Sequence, residues 1–351
     1  MTPPTTILVL TKHRFLGDTV VATPLLRALR SRYPQARQIL WTGTAAADLL
    51  RHSPLVDEIV AFPADTAPRG FAASWRLSSA AVHIARDLRR SVSPDWVIVA
   101  DRSLRAAMAA RLCGGRIRAG FATEFRSPLL THRVAYDPLR SEARCLLQIA
   151  AAVDPALEDD ALDARPQLMV TDSERIAAAR HLSERGAIGP LLIGVQPGAS
   201  EARKCWSPER FATVADALAR QRGARIVLIG GPKELVAARA MQAALPWPAC
   251  DLTGALDLRE TMAALSHCAL FLSADTGVRH IAAALEIPTI GLFGPTCAEK
   301  WGSRGPQHAT IRAADRRMDS IAPDEVLAAA LRLLPPPPPL AAARRTAEVR
   351  S

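Results

Sequence analysis

Residues 269–285 read ALFLSADTGVRHIAAAL, and how they are read decides the fold. ALFLS (269–273) is a strand-length apolar run, and 278–286 has the spacing of a helix. Between and just beyond them stand Asp275, Thr276, Gly277 and His280. Three chemistries use such pieces. Acid proteases carry DTG, but they need two such loops so that two carboxylates share a proton. This chain has a single DTG, and a helix pattern follows it. A metal site needs more histidines or cysteines at ligand spacing, and none lies nearby. A strand that turns on a glycine into a helix leaves free N–H groups facing an anion, helped by the helix dipole. Asp275 or Thr276 would cap that helix, and a bound diphosphate would raise the His280 pKa and make it a charge-assisted donor. An ordinary capped helix with a packed histidine fits the same letters, and position alone does not separate the two.

The pattern around this stretch is strand alternating with helix. ILVLT (7–11), QILWT (38–42) and WVIVAD (96–101) are strands of the first half. TPLLRALRSRY (23–33), a stretch near 77–90 and LRAAMAARLC (104–113) are its helices. In the second half the strands are LLIGVQ (191–196), RIVLIGG (225–231), ALFLS and TIGLF (289–293). SPERFATVADALARQ (207–221) is a helix with Ser207 as N-cap and Pro208 at its first position, and ELVAARAMQAAL (234–245) follows RIVLIGG. Continuous apolar strands separated by helices predict a parallel sheet covered on both faces. VDPALEDDALDARP (153–166), rich in acids and prolines, reads as a linker between two α/β halves, with a cleft at the carboxyl ends of both sets of strands. A length of 351 residues also favours two domains over one core.

Composition narrows the partners. The net charge of +10 is almost all arginine, which suits an anionic partner but also suits an arginine-biased composition. Nine arginines (102, 105, 111, 116, 118, 126, 133, 140, 144) face four acids between 101 and 144. With little aromatic interleaving, single-stranded nucleic acid is not the expected partner. Six scattered cysteines without CxxC suggest a reduced compartment, and the N-terminus lacks the order of a signal peptide.

Three more constellations lie at strand ends. PGAS (197–200), with Gly198 and Ser200, follows a strand, and Lys204 stands before a helix; it is not a phosphate-binding GxxxxGK[ST] loop. Lys204 is either a cation for a leaving phosphate or a solvated charge. Glu234 after Gly230-Gly231 is either a ribose ligand or a first-turn acid. Asp18, after Gly17, is either a helix cap or a base at the cleft floor, kept ionised by Lys12, His13 and Arg14.

In this order the motifs resemble glycosyltransferase family 9, the heptosyltransferases of the lipopolysaccharide inner core, over about residues 7–330. The resemblance rests on LGDTVVATPLLRALR (16–30), PGASEARKCWSPERFATVADAL (197–218), VLIGGPKE (227–234), DLTGALDLRETMAAL (251–265) and SADTGVRHIAAALEIPTIGLFGPT (273–296). It implies an α/β, GT-B architecture: two Rossmann-like doubly wound domains facing each other across a cleft. Residues 1–160 would bind the acceptor and 161–334 the nucleotide-sugar, leaving 335–351 as a disordered proline- then arginine/alanine-rich tail. It implies inverting transfer from an ADP-activated heptose with no metal and no cofactor. Asp18 would then match the general base and Lys204 the lysine near the donor diphosphate. Glu234 would match the ribose acid, and Asp275, Thr276, Gly277 and His280 the DTGxxH loop at diphosphate and sugar. Gly198 and Ser200 would belong to the same donor site. The implied partners are a nucleotide-diphosphate sugar, an anionic lipid-linked oligosaccharide acceptor and the inner-membrane surface, for a cytoplasmic, peripheral enzyme. Another sugar donor, a protein acceptor, or a nucleotide-sugar epimerase of similar architecture are the competing readings. Two positions depart from the family pattern: Arg279, where methionine or serine is common, and Cys297 after GPT, where an acid is common.

Overall fold

A computed structural model of the chain describes residues 2–12, 15–63, 77–123, 125, 127–158, 162–187, 189 and 191–335. The twelve strands among these residues form two wholly parallel sheets. The first contains β1 (Thr6–Thr11), β2 (Arg37–Gly43), β3 (Glu58–Phe62), β4 (Trp96–Ala100), β5 (Ile117–Phe121) and β6 (His132–Val134), in the order β3-β2-β1-β4-β5-β6. The second contains β7 (Leu192–Gln196), β8 (Arg225–Leu228), β9 (Cys250–Asp251), β10 (Leu270–Ala274), β11 (Thr289–Phe293) and β12 (His308–Arg312), in the order β12-β11-β10-β7-β8-β9. Counted within its own half, each sheet reads 3-2-1-4-5-6, the doubly wound order that reverses direction between its first and fourth strands. The expected pair of Rossmann-like units is therefore present.

The strands that the apolar runs announced are the buried ones. Ile7, Leu8, Val9, Val97, Ile98, Leu270 and Phe271 have no exposed surface, because helices cover both faces of the sheets. The strands that no apolar run announced are β3, β5, β6, β9 and β12, with sequences such as HRV and CD. Four of these five are sheet edges, where fewer apolar residues are needed.

Local chemistry sets the helix ends. Ser207 caps Pro208–Arg222 by accepting from the Arg210 N–H, and Gly223 closes it in the left-handed region at φ 65°. The helix expected from residue 23 is preceded by a short one, Leu16–Val21. Pro24 has no N–H to give the Val20 carbonyl, and the Thr23 hydroxyl donates to that carbonyl instead, at 2.7 Å. The chain breaks and restarts there, which leaves Asp18 on its own six-residue helix.

The two halves are joined by more than the connecting chain. One apolar cluster runs from Val20, Val21 and Leu49 in the first half to Met262 and Ile281 in the second. The Leu168 N–H donates to the Ala284 carbonyl at 2.9 Å, and the Gln167 N–H to Thr23 Oγ1 at 2.9 Å. Arg259, almost wholly buried, pairs with Glu174 at 2.6 Å and donates to the Leu49 carbonyl of the first half at 3.1 Å. Lys300 pairs with the buried Glu142 at 3.0 Å across the same boundary. The start of the expected linker packs on the first half: Asp154 accepts from Tyr33 and Arg32, and Leu157 is buried. Residues 336–351 of the expected tail lie outside the described residues. No helix among the described residues is long and apolar enough to cross a membrane.

Candidate functional site

The carboxyl ends of β1 and β10 each open into a short turn and a helix, and these two helices meet at their amino ends. A Cβ built on Gly277 would lie 3.5 Å from Leu16 Cβ and 3.7 Å from the Gly17 nitrogen. A Cβ on Gly17 would lie 3.0 Å from His280 Cδ2, tighter than a packed core tolerates without a shift. The glycine in the first half thus permits the approach of the histidine in the second. Sequence reading places Asp18 and the 275–280 turn in separate domains; the structure brings them to one seam.

Asp18 is the third residue of its helix, and its side chain makes no cap bond. Its Oδ1 accepts from Lys12 Nζ at 2.5 Å, and only 13% of the side chain is exposed. Burial raises its pKa, Lys12 opposes that rise, and the nearby Glu142 and Asp101 add to it. Desolvation thus outweighs Lys12 in setting its acidity, and His13 and Arg14, the other basic neighbours expected to hold it ionised, lie outside the described residues. A buried carboxylate with a raised pKa is better matched to taking a proton near neutrality than a solvated one. Beside it opens a cavity of about 250 Å³, lined by Lys12, Trp41, Phe62, Asp101, Ser103 and Arg105 among others.

Across the seam, Thr276 caps the helix Gly277–Ala284 by accepting from the Arg279 N–H at 3.3 Å. Its hydroxyl donates to Gln196 Oε1 at 2.7 Å, at the end of β7. The DTG turn is thereby pinned at the switch point between β7 and β10, where such sheets bind ligands. Lys204 comes from the short turn Ala202–Lys204; its Nζ lies 4.0 Å from Asp275 Oδ2 and 3.4 Å from Glu201 Oε1. Glu234 fits between two glycines: a Cβ on Gly198 or on Gly230 would come within 2.9 Å of it. Its Oε2 accepts from the Gly231 N–H at 2.7 Å, which braces its own turn. Gly198 is buried beside it and Ser200 is exposed on the same PGAS turn. Lys204 thus stands against Asp275, and Gly198 against Glu234.

His280 is buried, 3.8 Å from Asp275 Oδ1 and 3.2 Å from Arg279 Nη2. Burial, then the Arg279 and Lys204 cations, push its pKa well below the ordinary histidine value. Without a bound anion the ring is therefore neutral and, with Arg279 donating, its Nε2 accepts; the charged-donor role expected of it belongs to the diphosphate-bound state. Arg279 itself is 1% exposed, a buried arginine that sequence reading left without a role. Its signal was an arginine on the apolar face of a helix, between Thr276 and Ile281.

The arginines of 102–144 do not form one patch. Arg116 and Arg118, at the amino end of β5, donate to the Thr2, Leu129 and Gly115 carbonyls. Arg102 stacks over Tyr136 at 4.2 Å, at the opposite, carboxyl end of the sheet. Arg140 and Arg144 line an interdomain cavity of about 410 Å³ together with Lys300 and Arg304. Arg126 lies outside the described residues. Among the described residues there is no group of three or more His, Cys, Asp or Glu side chains that would hold a metal ion.

The profile of glycosyltransferase family 9 (heptosyltransferase) matches residues 82–324, a span that begins after the Asp18 turn. Lipopolysaccharide heptosyltransferase 3 of Escherichia coli is 25% identical over 286 residues, 81% of this chain and 82% of that one. The structure of a glycosyl transferase family 9 protein from Veillonella parvula superposes with a TM-score of 0.83 at 22% identity, covering 94% of this chain and 97% of that one. The structure of the E. coli ADP-heptose LPS heptosyltransferase II gives 0.77 at 24% identity, covering 93% and 98%.

Proposed function

The chain belongs to glycosyltransferase family 9, and on that premise we propose that it is an inverting, metal-independent heptosyltransferase. The donor would be an ADP-heptose and the acceptor the phosphorylated inner core of lipopolysaccharide. In this reading residues 1–160 bind the acceptor and 161–334 the donor. The observation that carries it is the seam at which the Asp18 helix and the Asp275–His280 turn abut, which sets a largely buried carboxylate of one half beside a helix amino end of the other.

Asp18 takes the proton from an acceptor hydroxyl, which attacks the anomeric carbon as the nucleoside diphosphate leaves from the opposite face. Its raised pKa suits that task. Lys204 and the free N–H groups at the start of the Gly277–Ala284 helix meet the charge that develops on the leaving diphosphate. Glu234, seated between Gly198 and Gly230, takes the ribose hydroxyls with the carboxylate oxygen that Gly231 leaves open, and Ser200 stands at the rim of the same turn. Arg140 and Arg144, at the carboxyl end of the first sheet, attract the acceptor's phosphates and the anionic inner face of the membrane.

The test is acceptor-dependent release of ADP from purified protein offered a panel of nucleotide-sugars with and without phosphorylated core oligosaccharide. Release from ADP-heptose only when acceptor is present is the expected result. Turnover of a nucleotide-sugar without acceptor would replace transfer by epimerisation or hydrolysis. Transfer to a protein would redirect the acceptor assignment.

A further inference from the structure

The transfer mechanism above leaves Arg279 without work, yet it is 1% exposed and its two terminal nitrogens are both engaged. Its Nη2 donates to Asp275 Oδ1 at 3.1 Å, to the Trp301 carbonyl at 2.8 Å and toward His280 Nε2 at 3.2 Å. Its Nη1 donates to Ser303 Oγ at 2.8 Å, and the guanidinium lies 5.1 Å from the centre of the Phe293 ring. Gly291 makes the room: a Cβ there would fall 2.9 Å from both Arg279 Cδ and the Phe293 ring. Burying a guanidinium carries a desolvation cost that an apolar side chain in that space would avoid.

We propose that Arg279 is a positioning residue of the transfer reaction, holding the Asp275 carboxylate and the His280 ring in one fixed relation and tying both to the 301–303 segment. The proposal rests on the donor site assigned above. Its physical content is a division between two cations. Asp275 has Arg279 on its inner side at 3.1 Å and Lys204 on its outer side at 4.0 Å. Because Arg279 neutralises Asp275 from within the fold, Lys204 is released to the diphosphate when donor binds. Without Arg279, Lys204 would have to serve the carboxylate and the leaving group at once. The hydrogen bond to His280 Nε2 also selects the ring tautomer that carries its proton on Nδ1.

The charged groups around His280 come from several elements. Asp275 and Arg279 lie on its own turn, Lys204 on the turn after β7, and Asp18 on the helix packed against it. Around the cavity on its other side are Arg140, Arg144, Arg165, Lys300, Arg304, His308, Asp163 and Glu286. Among the described residues only Arg279 has a hydrogen bond to the ring.

Arg279→Met, Arg279→Lys and Ser303→Ala decide the matter. The readouts are steady-state kinetics and an NMR titration of the His280 ring, assigned with His280→Gln. Arg279→Met is expected to lower kcat tenfold or more and raise the donor KM, leaving the acceptor KM within twofold. It should also move the His280 titration to higher pH. Arg279→Lys should restore the titration toward that of the wild type and recover part of kcat. Arg279→Met with wild-type kcat, donor KM and titration overturns the proposal. So does a folded Arg279→Met that loses activity while His280 titrates as before, because the arginine is then only a brace. If Arg279→Met does not fold, Ser303→Ala carries the test: a smaller fall in kcat at unchanged Tm supports the proposal, and wild-type kinetics sink it. The titration needs no substrate, so absence of transfer from every donor would count against the proposed function and not against this one.

Discussion

The two halves have the same strand order and different equipment. The first sheet ends in the largely buried carboxylate of Asp18, beside an apolar-walled cavity with Trp41 and Phe62. The second ends in a turn where Thr276, Gln196, Asp275, Arg279 and Lys204 lock one another. One topology therefore hosts two kinds of site, because a doubly wound sheet fixes where its loops emerge and leaves their side chains open. In the proposed reading the first half supplies a proton acceptor and the second an anion cradle, and each is incomplete alone.

The sharpest way to break that comparison is Asp18→Asn. A lost general base costs about 10²–10⁴ in rate, so kcat should fall by that much while ADP affinity, a property of the other half, stays within twofold. Calorimetry with ADP and a transfer assay read the two halves apart; equal losses in both would erase the division. Lys204→Met attacks the other side. It should cost about 10² in kcat, as removal of a transition-state donor does, and it should weaken ADP binding as well.

The seam is the next target. Gly17→Ala drives a methyl against His280, which Arg279 holds in place, and should lower kcat about tenfold with ADP affinity retained, an effect of misplacement between domains. Gly277→Ala meets Leu16 at an ordinary contact distance and should be much milder. The same kinetic assay on the pair checks the asymmetry, and a reversed order would refute the packing account.

A smaller effect concerns pH. Asp18 must be deprotonated to act, and burial already raises its pKa, so kcat/KM should fall on the acid side at a pH above the ordinary aspartate range. Lys12 opposes that rise, so Lys12→Met should move the acid limb to still higher pH; a shift to lower pH would exclude Asp18 as the titrating base. The smallest effect is on stability. The Arg259 guanidinium holds Glu174 at about 2, against an ordinary value of 4.5. The contribution is present above the ordinary value and is lost as pH falls toward 2. Glu174→Gln should therefore lower Tm at pH 7, with the difference closing as the pH is lowered toward 2.

Much of this was legible in the letters. ILVLT, WVIVA and ALFLS announce central strands because burial on both faces demands continuous apolar runs. HRV and CD announce nothing because edge strands are relieved of that demand. The site positions Asp18, Lys204, Glu234, Asp275 and His280 were legible as strand-end motifs. Their states were not. Burial raises the pKa of Asp18 and lowers that of His280, and that burial is created by elements distant in sequence.

The sequence by itself determined the alternation of strand and helix, the two-unit organisation and the order of the motifs, because periodicity and strand-end turns are local properties. Only the tertiary structure decided that Gly17 meets His280, that Glu234 is seated between Gly198 and Gly230, and that a buried arginine neutralises Asp275 from within. Those relations depend on which loops the reversal of strand order brings together and on how much water is excluded there, and neither is a property of any one stretch of chain.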